Sequence, residues 1–341
     1  MTSDSNTDKI FTLTNRNAMR VTISERGAAL VSWWAPDRHG TLADVLLGYS
    51  ELEEYRTNSC YFGAIVGRWA NRIAGASFKI DGAVWQIERN DHGNHLHGGT
   101  DGFHRAKWSA TNEAEGLRMT LDSPDGDSGF PGNVHCEVLY QLLDDGSLVI
   151  SYEAMSDAPT PLNLTSHPYF NLNGGQSNIE QHELMIASDH YLKIDKNLIP
   201  IKSASVAAGP FDFRQPASIG PRLKQPDSQL VMAGGFDHCY CLGSCENGVA
   251  RKVAHVNDPS SGRQLTVSTT AAGLQFYSGN YLDGTIGRGK LAYANHDGFC
   301  LEAQAFPNQI NNPDPVLADA VILRPGQTYR QTTIYKLSVG R

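Results

Sequence analysis

The chain has 341 residues, of which 40% are hydrophobic and 19% charged, so it holds ample apolar surface for a packed core. Its formal net charge is −8, and no block of Lys or Arg could follow a phosphate backbone, which argues against a nucleic-acid partner. No stretch approaches the roughly 20 apolar residues of a membrane span, and the N-terminus lacks a secretory signal pattern. We therefore expect a protein of the cytoplasm without a membrane partner.

The predicted elements, taken in chain order, begin with a β-hairpin. In ASFKIDGAVWQI, residues 76–87, Asp81-Gly82 forms a two-residue turn that places Phe78 opposite Trp85. A second hairpin is predicted over 134–154, where every second residue is apolar on both sides of an Asp-Asp-Gly turn. The alternating residues are Val134, Cys136, Val138, Tyr140, Leu142, Leu148, Ile150 and Tyr152.

Further strands are predicted from LRMTL at 117, HELMIAS at 182, RQLTVST at 263, GLQFYSG at 273, FCLEAQAF at 299 and TYRQTTIYKLS at 328. No segment has sustained helical amphipathy, and the Pro-rich stretch 310–329 is interpreted as a long surface loop. Because no linker or repeat divides the chain, we predict an all-β fold, a large and mainly antiparallel β-sandwich, in one domain over 1–341.

Six cysteines are too few for a secreted disulfide scaffold, so reduced thiols are expected. The segment HCYCLGSC, 238–245, offers His238, Cys239, Cys241 and Cys245 as conceivable zinc ligands. Its C-x-C-x3-C spacing lacks the paired C-x2-C of structural zinc sites, so a strand is favoured and no metal ligand is predicted there.

Two polar segments lie in the first third of the chain. GRWANRI, 67–73, carries Arg68 and Arg72 four residues apart, in either a solvated loop or a recognition loop for hydroxyl or carboxylate groups. NDHGNHLHGG, 90–99, crowds His92, His95 and His97 into a Gly-rich loop. If that loop is extended, His95 and His97 share one face, as metal ligands or as hydrogen-bonding groups.

One further segment lies near the middle of the chain and another in its last third. In NLTSHPYFNL, 163–172, extended backbone would direct Asn163, Thr165 and His167 to one polar side, with the strand ending near Pro168. A histidine merely satisfied at a strand end is the alternative. In DGFCLEAQAFPNQ, 297–309, Glu302 stands on the less apolar face of an otherwise buried strand, where desolvation would raise its pKa toward that of a general base.

Seven segments, in order, resemble the motifs of the aldose 1-epimerase family, the galactose mutarotases. They are GRWANRI, NHLHGG, GFPGN, NLTSHPYFNLNG, GGFDHCYCL, GLQFYSGNYLDG and GFCLEAQAFPNQIN. The resemblance runs from about residue 8 to the C-terminus. It implies a galactose mutarotase-like supersandwich with an open sugar cleft and with no metal or organic cofactor.

The resemblance also implies roles for individual residues. His167 corresponds to the family's proton donor and Glu302 to its proton acceptor. The family's positions that bind sugar hydroxyls correspond in this chain to Asn71, Arg72, His97, Asp237 and Gln275. Tyr169 is expected to form a wall of the cleft. Many family members have a small polar residue after the motif histidine, whereas this chain has Pro168, so no main-chain amide contact is expected there. Trp69 and Tyr277 are further candidates for apolar faces against the sugar ring, although core packing is the favoured role for each.

The activity so implied is that of an isomerase. It interconverts the α and β anomers of aldohexoses such as galactose and glucose by ring opening, C1–C2 rotation and reclosure, starting from ionised Glu302 and protonated His167. The partner is a small-molecule sugar, the protein is expected to be a monomer or weak homodimer, and galactose, glucose, xylose and arabinose are all open as preferred substrates. Alternatives are a noncatalytic sugar sensor, a metal-dependent hydrolase, and an epimerase of a hexose 6-phosphate, for which the motifs lack a cationic cluster.

Overall fold

Strands dominate the computed structural model, which describes residues 8–243, 245 and 248–340. The first half of the chain forms β1 (Ile10–Thr14), β2 (Arg20–Ser24), β3 (Leu30–Pro36), β4 (Leu42–Asp44), β5 (Ile65–Val66), β6 (Arg72–Ile73), β7 (Ser77–Ile80), β8 (Ala83–Gln86), β9 (His95–Leu96), β10 (Ser109–Glu113), β11 (Gly116–Ser123), β12 (Val134–Leu142), β13 (Ser147–Ser156), β14 (Thr160–Pro161) and β15 (Thr165–Ser166).

The second half forms β16 (Glu183–Ile186), β17 (His190–Ile194), β18 (Pro200–Ser205), β19 (Ala217–Ser218), β20 (Asp237–Cys241), β21 (Arg251–Asn257), β22 (Arg263–Thr269), β23 (Gly273–Tyr277), β24 (Cys300–Gln304), β25 (Ile322–Leu323) and β26 (Tyr329–Val339). The α-helices of the described residues are short: α1 (Ile219–Leu223), α2 (Ser228–Ala233) and α3 (Pro315–Asp319). Over those same ranges, no helix has the length and apolar character that crossing a membrane requires.

The larger sheets are built from antiparallel neighbours. One follows the order β1-β2-β3-β4, a second the order β10-β11-β12-β13-β26-β22-β21-β16-β19, and a third the order β18-β17-β20-β23-β24. Residues from each of the three sheets, such as Trp33, Tyr140 and Phe276, belong to one continuous buried cluster. The prediction of a large, mainly antiparallel all-β fold is confirmed.

Both predicted hairpins form, and the first has the predicted register. Phe78 lies opposite Trp85 across β7 and β8, and Tyr140 lies opposite Ile150 across β12 and β13. The period of two also sets burial in β12, where Val134, Cys136, Val138 and Tyr140 are buried and the residues between them are half-buried. Alternation therefore located β7 and β12, because one face of each packs against the core, whereas β8 is exposed along its whole length.

The prediction of a surface loop over 310–329 is wrong in part, because this stretch contains helix α3 and strand β25. Asp314 caps the helix by accepting a hydrogen bond from the backbone N–H of Val316, and Pro315 occupies the first turn. An Asp cap followed by Pro favours a helix start locally, even without a long amphipathic repeat.

The buried histidine His182 makes the fold sensitive to acid. Its Nε2 accepts a hydrogen bond of 2.9 Å from the backbone N–H of Leu172, and burial lowers its pKa to about 4 against weak opposition from Asp258. The unfolded chain binds a proton there below about pH 6.5, whereas the folded chain does not. The stabilising effect is therefore complete above pH 6.5 and is lost as the pH falls toward 4.

We expect His182→Gln to reduce this acid sensitivity. Between about pH 7.5 and pH 5, the variant should lose about 2 kcal/mol less unfolding free energy than the wild type, because the amide does not titrate. Urea unfolding at the two pH values measures the difference, and His39→Gln, at an exposed turn position, is the control. An equal pH dependence in His182→Gln and wild type would contradict the prediction.

Candidate active site

Glu302 lies at the centre of strand β24, which is buried along its whole length. On one side the strand pairs with β23, where Gln275 stands opposite Glu302. From behind, the Tyr335 hydroxyl of β26 donates to the carbonyl of Leu301 at 2.9 Å. A fixed strand thus presents the Glu302 carboxyl group to an open cleft.

The polar residues before Pro168 face β24, as the predicted alternation requires. Asn163 Oδ1 accepts a hydrogen bond of 2.8 Å from the backbone N–H of Ala305. The Thr165 hydroxyl donates to the carbonyl of Ala303 at 2.9 Å. His167, next on the same side, therefore points toward the strand that carries the carboxyl group.

The His167 ring and the Glu302 carboxyl group meet in the cleft. Nε2 lies 3.6 Å from Oε1, with side-chain exposures of 5% and 3%. Burial lowers the pKa of His167 to about 4. Burial, reinforced by the nearby Asp237 carboxylate, raises the pKa of Glu302 well above its usual range.

Burial thus disfavours the charged form of each group in the free protein, because each charged form loses its hydration. It therefore opposes the starting state expected from the sequence, ionised Glu302 and protonated His167.

Two hydrogen bonds join His97 and Asn71, and the backbone of Asn71 takes part in both. Asn71 donates its backbone N–H to His97 Nδ1 at 3.1 Å, and the backbone N–H of His97 donates to the Asn71 carbonyl at 3.2 Å. Burial lowers the pKa of His97 well below its usual value. Because Nδ1 accepts, the neutral ring carries its hydrogen on Nε2 and offers a donor in the cleft that it lines.

Arg72 and two carboxylates form the polar end of the cleft. Arg72 Nε donates to Asp91 at 2.8 Å, while its Nη1 lies 3.8 Å from Asp237. Burial raises the pKa of Asp237, and Arg72 opposes that rise. Gln275 Nε2 donates to Asp237 Oδ1 at 2.6 Å, and Gln275 is not among the residues lining the cleft. It stands behind Asp237 and orients that carboxyl group.

Aromatic rings form the remaining walls. Tyr169 lines the cleft with its ring centroid 5.1 Å from that of His167. Tyr277 lines the cleft and also packs against a buried apolar cluster, so it combines the two roles that the sequence left open. Trp69, by contrast, is fully buried in a separate apolar cluster, as expected.

Arg68, the other arginine of GRWANRI, is neither solvated nor in the cleft. It is 2% exposed, and its guanidinium donates to the Ser123 hydroxyl and to the carbonyls of Ser123, Pro124 and Pro131. Both readings of this arginine, as a surface residue and as a ligand-binding residue, are therefore wrong. Arg68 instead links the loops around it, because its guanidinium donates hydrogen bonds to their backbone carbonyl oxygens.

The three histidine rings of segment 90–99 lie in different surroundings. His92 is exposed, and His95 is buried against Phe130 with its Nδ1 2.8 Å from the carbonyl of Glu88. A positive φ of 51° at His97 ends the extended run. The face that His95 and His97 would share in an extended loop does not form.

Metal-ligating side chains approach one another at the cleft. Among the residues that the structure describes, the group whose ligand atoms all lie within 4.8 Å is His97, His167 and Glu302. His97 fits a metal poorly, because its remaining nitrogen carries the hydrogen and its Nδ1 already accepts from Asn71. The conceivable zinc cluster at 238–245 forms no such group within the described ranges.

The family model for aldose 1-epimerase matches residues 9–336. The chain belongs to the aldose 1-epimerase family. It is 43% identical over 325 residues to the galactose mutarotase of Homo sapiens, covering 94% of this chain and 92% of the relative. It is 40% identical over 331 residues to the aldose 1-epimerase of Escherichia coli K12, covering 96% and 94%.

Solved structures of aldose epimerases share the fold. The galactose 1-epimerase of Lactobacillus acidophilus superposes with a TM-score of 0.85 at 29% identity, covering all of this chain and 97% of that one. The GalM/aldose epimerase homologue of Caenorhabditis elegans gives a TM-score of 0.88 at 25% identity, covering 98% and 100%. The prediction of an isomerase family and of its supersandwich is confirmed.

Ser59, Tyr61 and Tyr281 line this epimerase cleft but were not predicted as site residues. Tyr61 lines it, with ring centroids 4.6 Å from both His97 and His104. Tyr61, Asn71 and His97 all have positive φ, which is uncommon outside glycine and clusters at functional sites. The sequence carried no signal for Tyr61, because it precedes an apolar strand as an ordinary aromatic residue would.

Proposed function

We propose that the protein is a mutarotase that interconverts the α and β anomers of aldohexoses such as galactose and glucose. The observation that carries the proposal is the 3.6 Å separation of His167 Nε2 and Glu302 Oε1 within a cleft. The anomeric hydroxyl and the ring oxygen of a sugar are bonded to the same carbon. A proton donor and a proton acceptor that serve both oxygens at once therefore have to stand side by side.

In the proposed cycle, Glu302 takes the proton of the anomeric hydroxyl while His167 gives one to the ring oxygen. The bond from C1 to the ring oxygen breaks, and an aldehyde forms. Rotation about C1–C2 presents the other carbonyl face, and the ring recloses with both proton transfers reversed. The pair starts and ends with one proton, so no net proton is consumed.

Sugar binding would favour the charge state that reacts, ionised Glu302 and protonated His167. A hydroxyl that donates to Glu302 stabilises the ionised carboxylate, and a ring oxygen facing His167 accepts from the imidazolium. Both effects oppose the burial that favours the neutral pair in the free protein. The anomeric centre would thus help to create the charge state in which it reacts.

The other hydroxyl groups of the sugar are proposed to fix its orientation in the cleft. The residues proposed to hold the sugar are Asn71, Arg72, His97, Tyr169, Asp237 and Gln275. Arg72 and His97 Nε2 only donate, whereas an ionised Asp237 only accepts, so hydroxyls that do both can be fixed in one pose. Gln275 would contribute through Asp237, and Tyr169 through the apolar face of its ring.

Polarimetry tests the proposal. Freshly dissolved α-D-galactose and α-D-glucose are followed with and without the protein, after exhaustive treatment with a chelator. Acceleration of either sugar above its spontaneous rate is expected, and the ratio of the two rates ranks them. Sugar binding without acceleration would instead favour a noncatalytic sensor.

The pH dependence of kcat/KM should be bell-shaped with a broad top. Activity requires one proton in the pair, because two protons leave no acceptor and none leaves no donor. We expect the acid limb near pH 4, where His167 binds the second proton, and the alkaline limb well above the ordinary range of a glutamate, where Glu302 loses the last one. Initial rates between about pH 3 and pH 9 measure the profile, and an alkaline limb at the ordinary glutamate pKa of about 4.3 would contradict it.

The cytoplasm is the proposed setting, with galactose breakdown as one use of the activity. Cys60, Cys136 and Cys300 remain thiols without a disulfide, which suits a reducing compartment. A single domain over 1–341 is also proposed, because the buried cluster draws on all three larger sheets.

A further inference from the structure

Strand β24 contacts both nitrogens of the His167 ring. Glu302 Oε1 lies 3.6 Å from Nε2, and Cys300 Sγ lies 3.5 Å from Nδ1. Cys300 and Glu302 are two residues apart in the strand, so their side chains emerge on the same face. Cys300 is fully buried, which keeps water from replacing its sulfur beside the ring.

The surroundings of Nδ1 decide which nitrogen exchanges its proton. The Cys300 thiol beside Nδ1 can donate or accept. In the proposed cycle Nε2, which faces Glu302, has to exchange its proton, so Nδ1 has to keep its hydrogen throughout. The thiol can then serve as the acceptor of that hydrogen.

We propose that Cys300 is a positioning residue for the mutarotase reaction. Its sulfur accepts the Nδ1 hydrogen of His167 and holds the ring so that Nε2 faces Glu302 and the reacting oxygens. The inference rests on the proposed function, since it explains how the proton donor keeps its orientation. A thiol is a weak acceptor, so it orients the ring without holding it as an imidazolium, as a carboxylate partner would.

Nitrogen NMR of the wild-type protein tests the tautomer without any activity measurement. The protein is labelled with 15N-histidine and studied near pH 7.5, where the His167 ring is neutral, and the His167 signals are those absent from His167→Asn. The expected spectrum has a protonated Nδ1 and an unprotonated Nε2. A ring protonated on Nε2 alone would overturn the proposal.

Cys300→Ala tests the consequence for catalysis. We expect kcat to fall about 10-fold, less than the 10²- to 10⁴-fold that a positioned acid contributes as a whole, with KM changed by no more than about two-fold. The His167 signals should become those of mixed tautomers. Cys300→Ser, whose hydroxyl can also accept, should recover part of the lost kcat and most of the Nδ1 tautomer.

Cys136→Ala is the matched control, because it removes the same thiol from a fully buried site on β12 that does not line the cleft. It should keep the kcat and the His167 signals of the wild type. Wild-type kcat and unchanged ring signals in Cys300→Ala would overturn the proposal. If Cys300→Ala does not fold, the kcat and the His167 signals of Cys300→Ser, together with the NMR spectrum of the wild type, test the proposal instead. A wild type without mutarotase activity would refute the proposed function and leave the tautomer result standing.

Discussion

Glu302→Gln is expected to lower kcat for mutarotation by about 10³-fold while changing the dissociation constant for galactose by no more than about three-fold. The amide keeps the shape of the carboxyl group and its place on β24, but it cannot take the proton of the anomeric hydroxyl. The substitution should therefore lower the rate of the chemical step and leave the affinity for the sugar nearly unchanged. Polarimetric rates, corrected for the spontaneous reaction, and calorimetric binding of galactose measure the two quantities separately.

The matched control for this substitution is Glu137→Gln. Glu137 lies on β12, pairs with Arg118 and does not line the cleft, so the same chemical change there should leave kcat at the wild-type value. Circular dichroism of both variants checks the fold. An active Glu302→Gln would remove the carboxyl group from the mechanism, and an unfolded one would make Glu302 a structural residue.

The sequence predicted those parts of the fold and site that a local pattern determines. A period of two located the hairpin of Phe78 and Trp85, because one face of strand β7 packs against the core while the other does not. The same period placed His167 toward a polar space and Glu302 on the less apolar face of its strand. Their meeting at 3.6 Å, across 135 positions of the chain, required the family resemblance in addition.

Properties that arise from packing could not be predicted in this way. The thiol of Cys300 and the ring of His167 are 133 positions apart, and no spacing rule connects them. The tautomer of His97 depends on the backbone of Asn71 in a left-handed conformation. Burial lowers the pKa of His167 and raises that of Glu302, and the depth of burial is set by elements far apart in the chain.

His167→Asn is expected to lower kcat by about 10²- to 10³-fold with little change in sugar binding. Asparagine can still donate a hydrogen bond, but it has no proton to give at neutral pH, so the ring oxygen must take its proton from water. His182→Gln is the matched control, since His182 is equally buried but does not line the cleft. It should keep the kcat of the wild type, and an unchanged kcat in His167→Asn would remove this histidine from the mechanism.

The double variant Glu302→Gln, His167→Asn gives the sharpest test of the pair. If the two proton transfers belong to one cycle, losing either group disables the same step, so the double variant should be about as slow as the slower single variant. Independent contributions would instead multiply, which gives a loss of about 10⁵-fold or more. Rates of the four proteins on α-D-galactose form the cycle. Multiplied losses would mean that the neighbouring groups at 3.6 Å act separately, and the proposal of a shared proton would then be wrong.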